Sequence, residues 1–421
     1  MATGSRATAQ TSCADLKPTH GVIRRVPLSR RFVPLARPGG TNRRITSTDH
    51  RCNARSAASS AIRIATFVTL ALAAGCRSGS PGGSAAPVAS AAPIVAPTPP
   101  ASDGAHVHGS LPLERVGDVV LPGAPNRFDY QDLDAKTGRL VVAHMNAGSV
   151  LIIDLATARV LKELTGIPTA RGVAVAPELG RAFVTASPNH VVIIDELAMT
   201  ELARVTTGSA PDGIAWDPAH HKVGVSAQGD GALTILADEG RGARVDVPLG
   251  RETGNVIYDS ARSVFWIAVV TASGRGELVS VDPVTAKKTR EIPLPGCDGA
   301  HGVRLAPRGE SAFVACEGND TLARVPLDGS VGAAPLVLAG TGAGPDVMAI
   351  DPGIGWLYVA AESGDLAIFD IDKPGLTLVG HEHPGAAAHS VAVDPATHRA
   401  FFPLAVGANG RPVLRIMRPT L

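Results

Sequence analysis

The chain has 421 residues, with 39 Lys/Arg against 38 Asp/Glu, and only 4% of it is aromatic. That balance hides an asymmetry: residues 1–76 hold 12 basic and 2 acidic residues, leaving 27 and 36 beyond them, a formal charge of −9. An acidic body poor in aromatics lacks the cationic groove and stacking platforms that nucleic-acid binding needs, so no nucleic-acid partner is expected.

Residues 1–60 hold most of the N-terminal arginines, among them Arg24, Arg25, Arg30, Arg31, Arg43 and Arg44, with no apolar period. They read as disordered, or as the product of a start placed too far upstream. Residues 61–76 read as a secretory signal: after Arg63, IATFVTLALAAGC supplies an apolar run too short to span a bilayer, then small residues before Cys76. The ending Leu72-Ala73-Ala74-Gly75-Cys76 resembles a bacterial lipobox, which implies that Cys76 becomes the lipid-modified first residue; an ordinary signal peptide cut nearby is the alternative. Residues 77–110 are rich in Ser, Gly, Ala and Pro, as in a semi-extended tether. By resemblance to lipoprotein sorting, Arg77 after the cysteine favours the outer membrane. The expected location is therefore the periplasm or cell surface, with membrane contact through the lipid anchor only.

Residues 111–421 repeat one phrase seven times: a small apolar run, a turn, a Val/Phe/Ala run and a further apolar strand. Its anchors are Asp134, Ala176, Asp217, Asp259, Ala306, Asp351 and Asp394, 41 to 47 residues apart. A period in the forties with β-branched runs and Gly/Pro/Asp punctuation predicts an all-β, seven-bladed β-propeller of WD40-like architecture. One unit reads as strand A (Gly213–Trp216), strand B (Lys222–Ala227), strand C (Ala232–Leu236) and strand D (Ala243–Pro248). The last unit offers A (His389–Val393), B (Arg399–Leu404) and C (Val413–Met417) but no D. Arg115–Gly123, RVGDVVLPG, resembles fourth strands elsewhere and is expected to complete that blade, removing its open edge. Asp217, Asp259, Asp351 and Asp394 at the A-to-B turns, and Asp154 and Asp195 ending strand C, read as turn-fixing carboxylates.

Phrases such as PDGIAWDPAHHKVGVSAQGDGALTIL and DVMAIDPGIGWLYVAAESGDLAIFDI are similar to the YVTN-type repeats of bacterial secreted YncE-like β-propellers, with LYVA and AFVT as the nearest matches to the signature. The resemblance implies the fold and leaves function open, since such propellers serve as binders, scaffolds, lactonases and lyases.

The residue five before each anchor should stand at the mouth of the central channel: Asp129, Arg171, Asp212, Gly254, His301, Asp346 and His389. A second ring at the end of strand B adds His144, Ser187, Gln228, Glu317 and Glu362. These define a candidate site for a small molecule or an envelope protein. His301, His389 and Asp129 could hold a divalent ion such as Ca²⁺, Mn²⁺ or Zn²⁺, with Asp212 or Asp346 as further ligands. Arg171 could orient an anion.

Two functions follow: a binding or scaffold module, or a metal-dependent hydrolase or lyase with Glu317 or His144 as base. No G-x-S-x-G elbow, Walker loop, HExxH or CxxCH signature occurs after residue 76. His381 and His383 sit in a loop with no enforced common face, and His106, His108, His220 and His221 are discounted. Cys297 and Cys316 are expected at one end of the fifth unit, as a disulfide or as two free thiols. A monomer is expected.

Overall fold

The computed structural model describes residues 110–328, 337–373 and 375–420. The signal segment, Cys76, His106, His108 and the tether up to residue 109 lie outside them. The described residues form a seven-bladed β-propeller of seven four-stranded antiparallel sheets, each ordered A-B-C-D from the axis outward. Among the described residues no helix is long and apolar enough to cross a membrane.

The strand chemistry explains the layering. Strand B is apolar and buried along most of its length, as in Val264–Val270, Ser311–Cys316 and Trp356–Ala361. A strand buried on both faces needs a neighbour on each, and here the neighbours are the adjoining blades. The cores accordingly lie between blades: Phe265 of blade 4 packs against Ala215, Leu233 and Ile235 of blade 3. Outer strands such as Thr200–Thr206 are mostly exposed and carry the charge.

Leu113–Val120 pairs antiparallel with Val413–Pro419, completing the last blade with an N-terminal strand. Asp118 accepts hydrogen bonds from Arg415 Nε and Nη2, both at 3.1 Å, across this seam. Val119 and Leu121 then join Phe401 and Leu414 in the core between blades 7 and 1.

The turn carboxylates act as their spacing implies. Asp217 Oδ1 accepts from the amides of Ala219 and His220 at 2.9 and 3.2 Å, and Asp259 and Asp351 repeat the arrangement. Asp154 and Asp195 cap the turns after strand C in the same way.

Candidate functional site

The channel mouth is built by a repeated irregularity in the backbone. In blade 3 the A–B pairing runs from Pro211↔Ala227 to Ile214↔Val225, three residues on one strand against two on the other. The same bulge occurs at Thr253/Val256, Ala300/Val303 and Pro345/Met348. A bulge kinks the strand and re-aims the extra side chain. In these blades it falls on Asp212, Gly254, His301 and Asp346, which is why the residue five before each anchor leaves the sheet's alternation. Glycines beside the ring let the blades approach. A Cβ on Gly302 would stand 2.0 Å from the carbonyl oxygen of Asp346, and one on Gly172 2.2 Å from that of Asp212.

His301 lies at the centre of the resulting cluster. Its Nε2 is 3.3 Å from Asp212 Oδ2 and 3.4 Å from Asp346 Oδ1, and its Nδ1 is 3.8 Å from Glu317 Oε2. Burial works against a charge here, but Asp346, Asp212 and Glu317 outweigh it and raise the imidazole to about 10. The two flanking carboxyls diverge. Burial, with help from Asp129 and Asp212, lifts Asp346 to about 6. Asp212 feels the same burial, yet His301 and Arg171 together hold it below the usual carboxylate range. The His301 hydrogen bond to Asp212 comes first and Arg171 adds to it: its Nη1 reaches Asp212 Oδ1 at 3.3 Å and Gln228 Oε1 at 3.2 Å.

On the other side of the mouth His389 Nε2 faces Asp129 Oδ1 at 3.8 Å, too far for a hydrogen bond. Both residues are buried, and neither atom has a hydrogen-bond partner. Gln228 and Glu362 also reach the rim. Gln228 bridges Arg171 to Glu252, and Glu362 receives two hydrogen bonds from Arg127, at 2.6 and 2.5 Å. Burial opposes the Glu362 charge, but Arg127 holds its carboxyl below the ordinary value.

Ring membership differs from the sequence reading at one point. His144 is the last residue of Arg139–His144, equivalent to Ala186, Ala227 and Cys316 in other blades, so its position faces the interior. It is fully buried and stacks on Phe128 with ring centroids 3.9 Å apart, and burial lowers its pKa. A one-residue slip along a strand turns a side chain to the opposite face, and Met145 is the true counterpart of Gln228 and Glu317. Of the three residues suggested for an ion, His389 faces Asp129, and His301 faces Asp212 and Asp346. Among the described residues no group of three or more His, Cys, Asp or Glu is arranged to hold a metal ion.

Tyr130, Asn255 and Arg127 belong to the site and were not singled out from the sequence. Tyr130 donates to Asp346 Oδ1 at 2.5 Å and accepts from Asn255 Nδ2, linking three blades across the channel below the mouth. Burial and the surrounding carboxylates raise its phenol well above the usual value. The space left beneath, lined in part by Tyr130, Asn255, Arg304 and Asp346, is about 30 Å³, room for one or two waters. A signal existed: Tyr130 and Asn255 occupy the position held by Gly172, Gly213 and Gly302 in other repeats.

Cys297 and Cys316 are bonded, with Cα atoms 5.1 Å apart, tying the loop before His301 to the strand before Glu317. The remaining histidines stay outside the ring. His381 and His383 lie 3.7 and 3.2 Å from Asp365, and His220 and His221 meet Asp217 and Asp238 at 2.8 and 3.2 Å.

Solved structures of similar fold include Kuenenia stuttgartiensis hydrazine synthase, with TM-score 0.58 and 17% identity over 71% of this chain and 98% of that one. The β-propeller domain of Myceliophteria thermophila Cps50 (Swd1) aligns with TM-score 0.59 and 13% identity over 72% and 99%. At these identities the likeness is one of fold alone. No protein-family model matches the chain, and no curated protein matches it by sequence.

Proposed function

We propose that the chain is a binding module of the cell envelope that takes a small ligand at its central mouth. One observation carries this reading: Asp129, Asp212, Asp346 and His389 are buried at a single opening, yet Asp129 Oδ1 and His389 Nε2 have no hydrogen-bond partner. Each such group costs roughly 1–3 kcal/mol while unpaired. A scaffold gains nothing by retaining them, whereas a ligand supplies the missing partners.

The test is a small-molecule library screened by thermal shift on the full chain and on the variant His301→Gln/Asp346→Asn. A ligand at a hundred times its Kd stabilises by about 2.7 kcal/mol, a shift of several degrees. Hits at the mouth should lose that shift in the variant. A screen in which every hit persists there would move binding elsewhere.

The envelope setting rests on the sequence before the propeller, the lipobox-like LAAGC and the tether, and the YncE-like repeat character agrees with it. Cys76→Ser should move the protein from the membrane pellet to the soluble periplasmic fraction. A variant still found in the pellet would remove the lipid anchor from this reading.

A further inference from the structure

The polar groups at the mouth indicate which class of ligand it takes; this inference rests on the mouth being a ligand site. The cations are already engaged. Arg127 gives both terminal nitrogens to Glu362, Arg171 serves Asp212 and Gln228, and His301 lies between Asp212 and Asp346. An anionic ligand would have to displace a carboxylate that is already in place. The unengaged atoms are mainly acceptors: Asp129 Oδ1 at the mouth, and Gln131 Oε1 and Asn255 Oδ1 in the space beneath it, are buried without a hydrogen-bond partner, against one such donor on the cations named, Arg127 Nε. The orientation of Gln131 is set by its amide, which donates to the Phe401 carbonyl at 2.9 Å and leaves its oxygen without a donor. His389 Nε2 beside Asp129 can also accept in one neutral tautomer.

Charge points the same way. Asp129, Asp212, Asp346, Glu252, Glu317 and Glu362 stand around Arg127, Arg171, Arg251 and His301, six carboxyls to four cationic side chains. A buried carboxylate without its own cation is expensive, and a ligand carrying positive charge and several N–H donors relieves both deficits together. A primary ammonium has three such donors and fits a small opening where a guanidinium would need a flat slot. We propose that the mouth binds the protonated primary amine of a small organic cation, with Asp129 as counter-ion and His389 as a second acceptor.

Calorimetric titration of the full-chain protein near neutral pH tests this with propylammonium, 1,4-diaminobutane, propionate, inorganic phosphate and calcium as separate probes. The amines should bind, and Asp129→Asn should weaken them by about tenfold or more, since a charge-assisted hydrogen bond is lost. His389→Gln, which leaves the carboxylate, should weaken them less; thermal melts establish that both variants fold. Amine binding unchanged in Asp129→Asn overturns the proposal, as does the absence of amine binding at tens of millimolar. Propionate or phosphate binding that disappears in Arg171→Gln, or calcium binding without amine binding, would also overturn the amine while leaving the mouth as the ligand site. If no library hit depends on His301 and Asp346 either, the site itself falls.

Discussion

At the scale of single residues, the chain separates carboxylates whose role is local from those whose role depends on neighbouring blades. Asp217 and Asp259 bond amides two and three positions along, so a turn motif is enough to assign them. Glu196 is the opposite case. It is fully buried, neither carboxylate oxygen has a hydrogen-bond partner, and nearby Arg139 donates to its backbone carbonyl instead. Burial, reinforced by Asp134 and Asp132, pushes the carboxyl up to about 7. The folded state therefore holds this proton more tightly than the unfolded one, so the stability it contributes is present at low pH and lost as pH rises through about 7. Glu196→Gln should thus be nearly neutral in stability at about pH 4, below the ordinary carboxylate value, and stabilising by about 3 kcal/mol at mildly alkaline pH. Urea unfolding at both pH values checks this, and an equal effect at the two would refute it.

At the scale of elements, the bulged opening of strand A matters most, because it converts an alternating strand into a presenter of polar groups. Its dependence on close blade approach is testable through glycine. Gly302→Ala places a methyl 2.0 Å from the Asp346 carbonyl oxygen, a backbone atom that cannot move without shifting its blade. A loss of about 2 kcal/mol or more is expected, together with weakened binding at the mouth. Gly117→Ala, with nothing within 4 Å of the added carbon, is the control and should stay near wild type. Equal melting of the two variants would show that the tight approach is not needed. The repeat period located these openings, and the positions of His301, Asp346 and Asp212 were readable by counting back from each anchor. Counting failed at His144, where one residue of register decides between rim and core. It also could not supply the Arg127–Glu362 pair, whose members lie 235 residues apart.

At the scale of the whole molecule, closure of the ring is the main structural requirement. Removing residues 113–120 would leave Val413–Pro419 as a bare edge and open the core that Val119 shares with Phe401 and Leu414. The truncated chain should unfold at a much lower urea concentration and aggregate as it does so, followed by fluorescence and light scattering. A midpoint equal to that of the intact chain would show that the seam is dispensable. The number of blades, the strand order within each and the terminal clasp were determined by the sequence itself, because hydrophobic period and turn chemistry are local and recur seven times. The tertiary structure alone decided which of the side chains at the axis touch one another and which cations are already paired. It likewise decided that Tyr130 reaches Asp346 across the channel and that Asp129 is left without a hydrogen bond to Oδ1. Those outcomes depend on distances between blades far apart in the chain, and no local pattern encodes such distances.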